Sequence, residues 1–372
     1  MYLSSISFEN FRNLENACVE FSKETNIIFG QNGAGKTNLI EAVWCMTGRR
    51  SFRGVRDLTL IRAANGERES TAAVKAAFFS GGRRQTAELS IGGKKTAKLN
   101  GVECERVGDL SECFKAVVFS PSDLELIDSS PIVRRKWLDE TIGALRPKYD
   151  KVLSAYKKCL DQRSAVLKSY IDGDKTADML LDVYDHRLAE YGEFLIKQRQ
   201  LYLQAVSEIV PPLFDGLTKS RERLTLEYEC SCGDGSRQEI LKMLEISRKN
   251  DIKYQSTNVG AHRDDVLIKI NGMDCKNFGS QGQKRSAVLA LKLCEAQIIK
   301  NNTEEQPIVL LDDVLSELDE YRRDYVLNRM TGGQIFITCC EMSTVRLQGR
   351  GSAFEIDGGR IINQTEKISK ES

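Results

Sequence analysis

Apolar and polar positions along this chain follow two periods. Residues 2–8 alternate in steps of two and predict a strand, followed by a turn at Asn10-Phe11-Arg12-Asn13 and a second strand over residues 18–21. Several short β runs fill residues 71–104, with Asn100-Gly101 as a hairpin signal. Residues 115–119 predict a buried strand, ended by Ser120-Pro121-Ser122-Asp123, where proline and serine open a helix. The period then changes. Tyr149, Leu153, Tyr156, Leu160, Leu167 and Tyr170 recur in steps of four and three, interrupted by Arg163. After Asp172-Gly173-Asp174 the spacing resumes at Leu181, Tyr184, Leu188, Tyr191, Leu195 and Tyr202. Two helices joined by a short turn satisfy this pattern, an antiparallel hairpin that projects as an arm and closes at Pro211-Pro212. Strand spacing returns over residues 224–228, helical spacing over 238–246, and a strand over 266–270 runs into a second hairpin turn, Asn271-Gly272.

One stretch carries explicit chemistry. The apolar strand Asn26-Ile27-Ile28-Phe29 runs into Gly30-Gln31-Asn32-Gly33-Ala34-Gly35-Lys36-Thr37, and a helical pattern follows from Asn38 to about Cys45. This is G-x-x-x-x-G-K-[ST] between a strand and a helix, the setting a P-loop needs. Glycines let backbone N–H groups turn inward on phosphate, and the helix start adds the positive end of its dipole. Lys36 is expected on the β- and γ-phosphates and the Thr37 hydroxyl on Mg²⁺. The expected ligand is a nucleoside triphosphate.

Two later stretches supply the other half of such a site. Pro307-Ile308-Val309-Leu310-Leu311 reads as a buried strand ending in Asp312 and Asp313. Asp312 is expected at the carboxyl edge of a parallel sheet, holding Mg²⁺, with Asp313 placed to polarise an attacking water. Upstream, Gly279-Ser280-Gln281-Gly282-Gln283 opens a long helix whose exposed N–H groups form a second anion site.

Composition adds bounds. At 372 residues the chain has room for two domains, or for one with a large insertion. Lys+Arg 54 against Asp+Glu 53 leaves a net charge of +1, so any nucleic-acid contact must come from local patches. Two such patches stand out. Arg49-Arg50-Ser51-Phe52-Arg53 is either a solvated connection or a phosphate contact, and Arg134-Arg135-Lys136 beside Trp137 is either a DNA contact or a polar helix face. The 11 scattered cysteines fit a reducing compartment, and Cys230-Ser231-Cys232 reads as two thiols at a strand end or as part of a metal site. His262, one of two histidines, is structural or linked to the nucleotide. No signal peptide or bilayer-length apolar run is evident, so a cytoplasmic location without membrane partners is expected.

Ser280-Gln281-Gly282-Gln283, the Asp312-Asp313 pair and Ser316-Glu317-Leu318-Asp319 resemble the ATP-binding-cassette heads of the SMC class. The ordered set Asn10-Phe11-Arg12-Asn13, residues 30–38, Ser51-Phe52-Arg53, His262-Arg263-Asp264-Asp265 and residues 311–319 is more specific and resembles the RecF family of bacterial replication and repair proteins. That resemblance implies an α/β fold: a P-loop ATPase head with a mixed sheet, flanking helices and an antiparallel β lobe, carrying an inserted short helical arm. The expected divisions are 1–120 for the first part of the head, 121–255 for the arm domain with its hairpin at 149–209, and 256–372 for the rest of the head. It further implies an ATP-induced homodimer that binds double-stranded, gapped or junction DNA and works with RecR and RecO mediators. Gly30, Gln31, Asn32, Gly33, Ala34, Gly35, Lys36, Thr37, Asn38 and Arg12 would contact ATP, with Ser280, Gly282 and Gln283 reaching the partner's nucleotide. Arg49, Arg50, Arg53, Arg134 and Arg135 are the candidate DNA contacts.

Departures matter. Residues 335–340 read Ile-Phe-Ile-Thr-Cys-Cys where a transporter ATPase would carry its switch histidine, leaving Thr338 as a hydrogen-bonding group. Asp313 is one methylene shorter than glutamate, which implies slow hydrolysis. A transporter ATPase subunit, a short-armed chromosome-structuring protein and a small-molecule kinase are the competing readings.

Overall fold

The computed structural model describes residues 1–64, 67–219, 221–330, 332–341 and 351–366. The chain divides into two compact units, Met1–Asp123 with Leu289–Ser372, and Leu124–Val288.

In the first unit a six-stranded sheet is mostly parallel, in the spatial order Ala116–Phe119, Ile308–Asp312, Ile335–Cys339, Thr25–Phe29, Gly351–Asp357, Arg360–Glu366. Only the last pairing is antiparallel. The strands over 25–29, 308–312 and 335–339 are apolar almost throughout and buried, as strands covered on both faces must be. The helix Lys36–Cys45 packs its apolar residues into the same core. A second six-stranded sheet is antiparallel and contains Tyr2–Glu9, Ala72–Ser80 and Arg83–Ile91 as its long strands. Its alternating burial matches the period-two pattern of the sequence. Asn100 and Gly101 have φ of 51° and 81°, and Asn271 and Gly272 have 53° and 80°, the left-handed pair that a two-residue hairpin turn requires.

The second unit holds the arm. Pro147–Lys168 and Lys175–Thr218 form the expected antiparallel hairpin, capped at its return by Asp174, whose carboxylate accepts from the N–H groups of Thr176 and Ala177. Tyr149, Tyr156, Leu167, Leu181, Leu188 and Leu195 are buried along the seam. Arg163, which breaks the apolar spacing, lies in the core. It is fully buried and donates to Asp185 at 2.6 Å, Asp251 at 2.8 Å and Thr257 at 2.9 Å. Arg199 is buried likewise, on Asp139 and the carbonyl of Ala261. Carboxylate partners offset the cost of burying these charges, although Arg163 Nη2 is buried without a hydrogen-bond partner.

Two expectations are corrected. The helix does not stop at Pro211-Pro212 but continues to Thr218. The prolines remove two backbone donors, while Leu203, Val206, Val210, Leu213, Phe214 and Leu217 continue one buried stripe that carries the helix through. The return to the first unit falls at Leu289, not at 256. Asp265–Ile270 pairs in register with Leu224–Glu229, tying residues 256–288 to the arm unit.

His262 is a structural group here. Its Nδ1 lies 2.8 Å from the Tyr156 hydroxyl and its Nε2 3.0 Å from the Thr257 carbonyl, so Nε2 donates and Nδ1 accepts. Burial pushes the imidazole pKa down to about 4. The unfolded chain therefore takes up a proton that the folded chain refuses as pH falls from about 6.5 toward 4, which costs up to about 3 kcal/mol of stability. Urea unfolding between pH 7 and pH 4 should show this loss, and His262→Gln should flatten the profile. Arg163→Ala strands the buried Asp251 carboxylate, while Asp185 keeps Arg248 at 2.6 Å, and should cost roughly 3 kcal/mol in the same measurement.

Candidate functional site

The P-loop is shaped by positive φ angles at its glycines and by one close backbone approach. Gly30 has φ of 148°, and a Cβ there would lie 2.1 Å from the Ile356 carbonyl oxygen. Gly33 and Gly35 also have positive φ. The loop wraps the Lys36 ammonium, which donates to the carbonyls of Gly30 at 2.6 Å and Gln31 at 3.0 Å. Those are neutral acceptors, so an anion in the loop competes for Lys36 on favourable terms. Gln31, Asn32 and Gly33 at the crest are exposed, whereas Ala34, Gly35 and Lys36 are buried as the helix begins.

Below the loop a second layer fixes the helix. Glu41 is fully buried and accepts from Arg12 Nε at 2.8 Å and Arg12 Nη2 at 2.9 Å, and from the Ser51 hydroxyl. Arg12 Nη1 donates to the Thr59 carbonyl at 3.0 Å. The guanidinium expected on the nucleotide is thus engaged as a strut behind the P-loop helix. Glu41 was missed by sequence reasoning, and the only signal was a charged residue on an otherwise apolar helix. Asn38 donates to Asn13 at 2.6 Å and accepts from Arg53 at 3.1 Å, which ties the turn after the first strand to the basic loop.

The carboxylates meet the P-loop across one intervening strand. The Thr37 hydroxyl donates to Asp312 Oδ1 at 2.9 Å, and the Thr338 hydroxyl donates to the same oxygen at 3.0 Å. Thr338 in turn accepts the Asp313 backbone N–H at 2.8 Å. Parallel pairing in register, Asp312 beside Thr338 and Thr338 beside Ile28, produces this junction. Thr338, considered from sequence for phosphate or water, is bonded to the two acids. Burial raises the Asp312 pKa, with the two threonine hydrogen bonds opposing it. A divalent cation suits this place. The donors are hard oxygens, from Thr37 and Asp312, and a cation would relieve the cost of the buried charge. Asp313 has φ of 54° and accepts from Ser316 Oγ at 3.2 Å. That left-handed backbone aims its side chain differently from that of Asp312.

Lys36, Thr37, Asp312, Asp313 and Thr338 therefore come together in the first unit. Ser280, Gly282 and Gln283 belong to the second. There the helix Gln281–Thr303 starts from a reciprocal cap. The Ser280 N–H donates to Gln283 Oε1 at 2.7 Å, and the Gln283 N–H donates to Ser280 Oγ at 3.3 Å. Ser280 is exposed, and the Gln283 amide also donates to Glu222.

The candidate DNA contacts divide. Arg50 and Arg53 are exposed, and Arg49 lies with its guanidinium 5.7 Å from the Trp44 ring centroid. Arg134 is buried and paired with Asp265 at 2.7 and 2.8 Å, and Arg135 donates to the Asp264 carbonyl at 2.5 Å. Arg134 is thus an internal strut of the second unit, whereas Arg135 is half-buried and rests on a backbone carbonyl. Cys232 is buried, and no group of three or more metal-ligating side chains gathers among the described residues. No described helix is long and apolar enough to cross a membrane.

Comparison with known proteins agrees with this geometry. The family described as RecF/RecN/SMC N terminal domain matches residues 2–352. The DNA replication and repair protein RecF of Clostridium acetobutylicum is 37% identical over 369 residues, covering 97% of this chain and 99% of its own length. RecF of Caldanaerobacter subterraneus subsp. tengcongensis is 38% identical over 352 residues, covering 93% and 96%. The solved structure of the recombination mediator protein RecF-ATPrS in the RecFOR pathway superposes with a TM-score of 0.90 at 36% identity, covering 99% of this chain and 98% of that one. The Smc head domain of Pyrococcus furiosus, at 16% identity and a TM-score of 0.56, shares the fold. A full-length match at this identity, with the P-loop and paired acids assembled as above, places the chain in the RecF family.

Proposed function

We propose that this chain is an ATP-dependent DNA-binding protein of replication and recombinational repair, in which slow ATP hydrolysis acts as a release switch. The observation that carries the reading is the Thr37–Asp312–Thr338 junction beside Lys36, assembled from the P-loop helix and two neighbouring strands and suited to a triphosphate and a cation. The names of its relatives, including a RecF-ATP structure 37% identical to this chain, support the choice of ATP and of replication and repair. DNA, RecR- and RecO-type mediators and a second copy of the chain are the proposed partners, in the cytoplasm.

Lys36 would leave the loop carbonyls for the β- and γ-phosphates, and loop N–H groups would take the remaining phosphate oxygens. Thr37 and Asp312 would hold Mg²⁺, which when bound neutralises charge on the β- and γ-phosphates. Asp313 would orient the attacking water, and its short side chain makes the step slow. Ser280 and Gly282 of one copy would face the triphosphate held by the other, where the Ser280 hydroxyl can donate while still accepting from Gln283. Loss of the γ-phosphate removes that tie and lets the copies part. DNA would meet Arg49, Arg50 and Arg53.

Light-scattering mass and retention of gapped DNA, compared with ATP, with ADP and in Lys36→Ala, test this reading. ATP alone should give the dimer and the retained DNA, and Lys36→Ala should give neither; monomers throughout would overturn it. Asp312→Asn should abolish the thermal shift produced by Mg²⁺ with ATP. The same variant should melt no lower than wild type without ligand, because it removes a buried charge that two neutral hydroxyl donors compensate only in part, while the amide oxygen can still accept from them. Replacing Arg50 and Arg53 together by alanine should flatten the slope of log K against log[salt] by about 2 for each protomer on the duplex.

A further inference from the structure

The segment just ahead of Ser280 is held more rigidly than a connection requires. Cys275–Phe278 forms a single helical turn, opened by Asp274, whose carboxylate accepts from the Lys276 N–H. The Gly279 N–H returns to the Cys275 carbonyl at 3.0 Å. A Cβ on Gly279 would lie 2.5 Å from that oxygen and 3.0 Å from the Cys275 sulfur, so only glycine fits. Lys284, one turn into the following helix, donates to the Lys276 carbonyl at 2.8 Å and to Asp128 at 2.6 Å. Lys276 itself donates to the Ser129 carbonyl at 3.1 Å. Cys275 is buried beneath.

This clamped turn presents Phe278 to solvent. The residue is 69% exposed, and among the described phenylalanines no other is exposed. Met273, five residues earlier, is 57% exposed. A lone surface leucine or valine is unremarkable, but an exposed aromatic on a fixed backbone loses little entropy on being covered and has the properties of an interface anchor.

We infer that Phe278, with Met273 beside it, is an anchor onto a second copy of this chain, packing on the protein surface that borders that copy's P-loop. The occupant follows from chain geometry. Ser280 is two residues away and the link through Gly279 is rigid, so whatever surface Ser280 approaches must also receive the Phe278 ring. The inference rests on the proposed exchange of Ser280 and Gly282 between two copies. It adds that apolar burial, in addition to phosphate charge, holds the copies together.

The test uses the full chain. Dimerisation is followed by light scattering over a protein dilution series with saturating ATP and Mg²⁺, and nucleotide affinity is measured with a fluorescent ATP analogue at monomer concentrations. Phe278→Ala should weaken the dimer at least about tenfold. Nucleotide affinity of the monomer and Tm should not change, and Phe278→Leu should recover part of the loss. A dimer with the same dissociation constant in Phe278→Ala overturns the inference alone. A fall in monomer nucleotide affinity also overturns it, because the ring would then belong to its own chain's site. A wild-type chain that stays monomeric with ATP removes the underlying reading and this inference together.

Discussion

The site depends on one buried carboxylate. Asp312 sits at the end of an apolar strand, shielded from water, with two threonine hydroxyls aimed at the same oxygen. Burial raises its pKa, so the charge is held at a cost that two neutral donors meet only in part. A site in this condition gains more from a cation than an exposed aspartate would. The same geometry joins the helix of the P-loop, through Thr37, to the strand that lies between the two motifs, through Thr338. Thr338 extends the chain of hydrogen bonds to Asp313, whose backbone N–H ends on it.

Around this junction the chain uses buried ion pairs as fasteners. Glu41 with Arg12 and Ser51 fixes the P-loop helix to the turn after the first strand. In the other unit Arg163, Arg199 and Arg134 each lock two or more elements by satisfying carboxylates away from water. Such pairs add little net stability compared with apolar packing of the same volume, but breaking one leaves a stranded charge, so they enforce a single arrangement.

The same fasteners occupy arginines that the sequence offers as ligand contacts. Arginines 12, 134 and 135 look like ligand contacts in a linear chain because arginine suits phosphate. Their partners Glu41, Asp265 and the Asp264 carbonyl lie 29, 131 and 129 residues away. Only folding brings them within reach, and a linear reading cannot tell a guanidinium with a carboxylate or carbonyl partner from one left open to phosphate. Arg163 shows the converse: read as a break in an apolar seam, it is buried there on Asp185, Asp251 and Thr257.

What the sequence determined alone was everything set by local sterics and short periods. The glycine spacing before Lys36 admits a phosphate-binding turn, four apolar residues before Asp312 place it at a strand end, and Asn-Gly pairs close hairpins through their tolerance of positive φ. The 4-3 spacing of tyrosines and leucines specifies a helical hairpin. Tertiary structure decided the rest. It set the strand order that inserts Thr338 between the two motifs, the continuation of the arm helix through Pro211-Pro212, the assignment of residues 256–288 to the arm unit and the exposure of Phe278. Each of these turns on which distant residues supply burial or hydrogen-bond partners, and no local pattern carries that information.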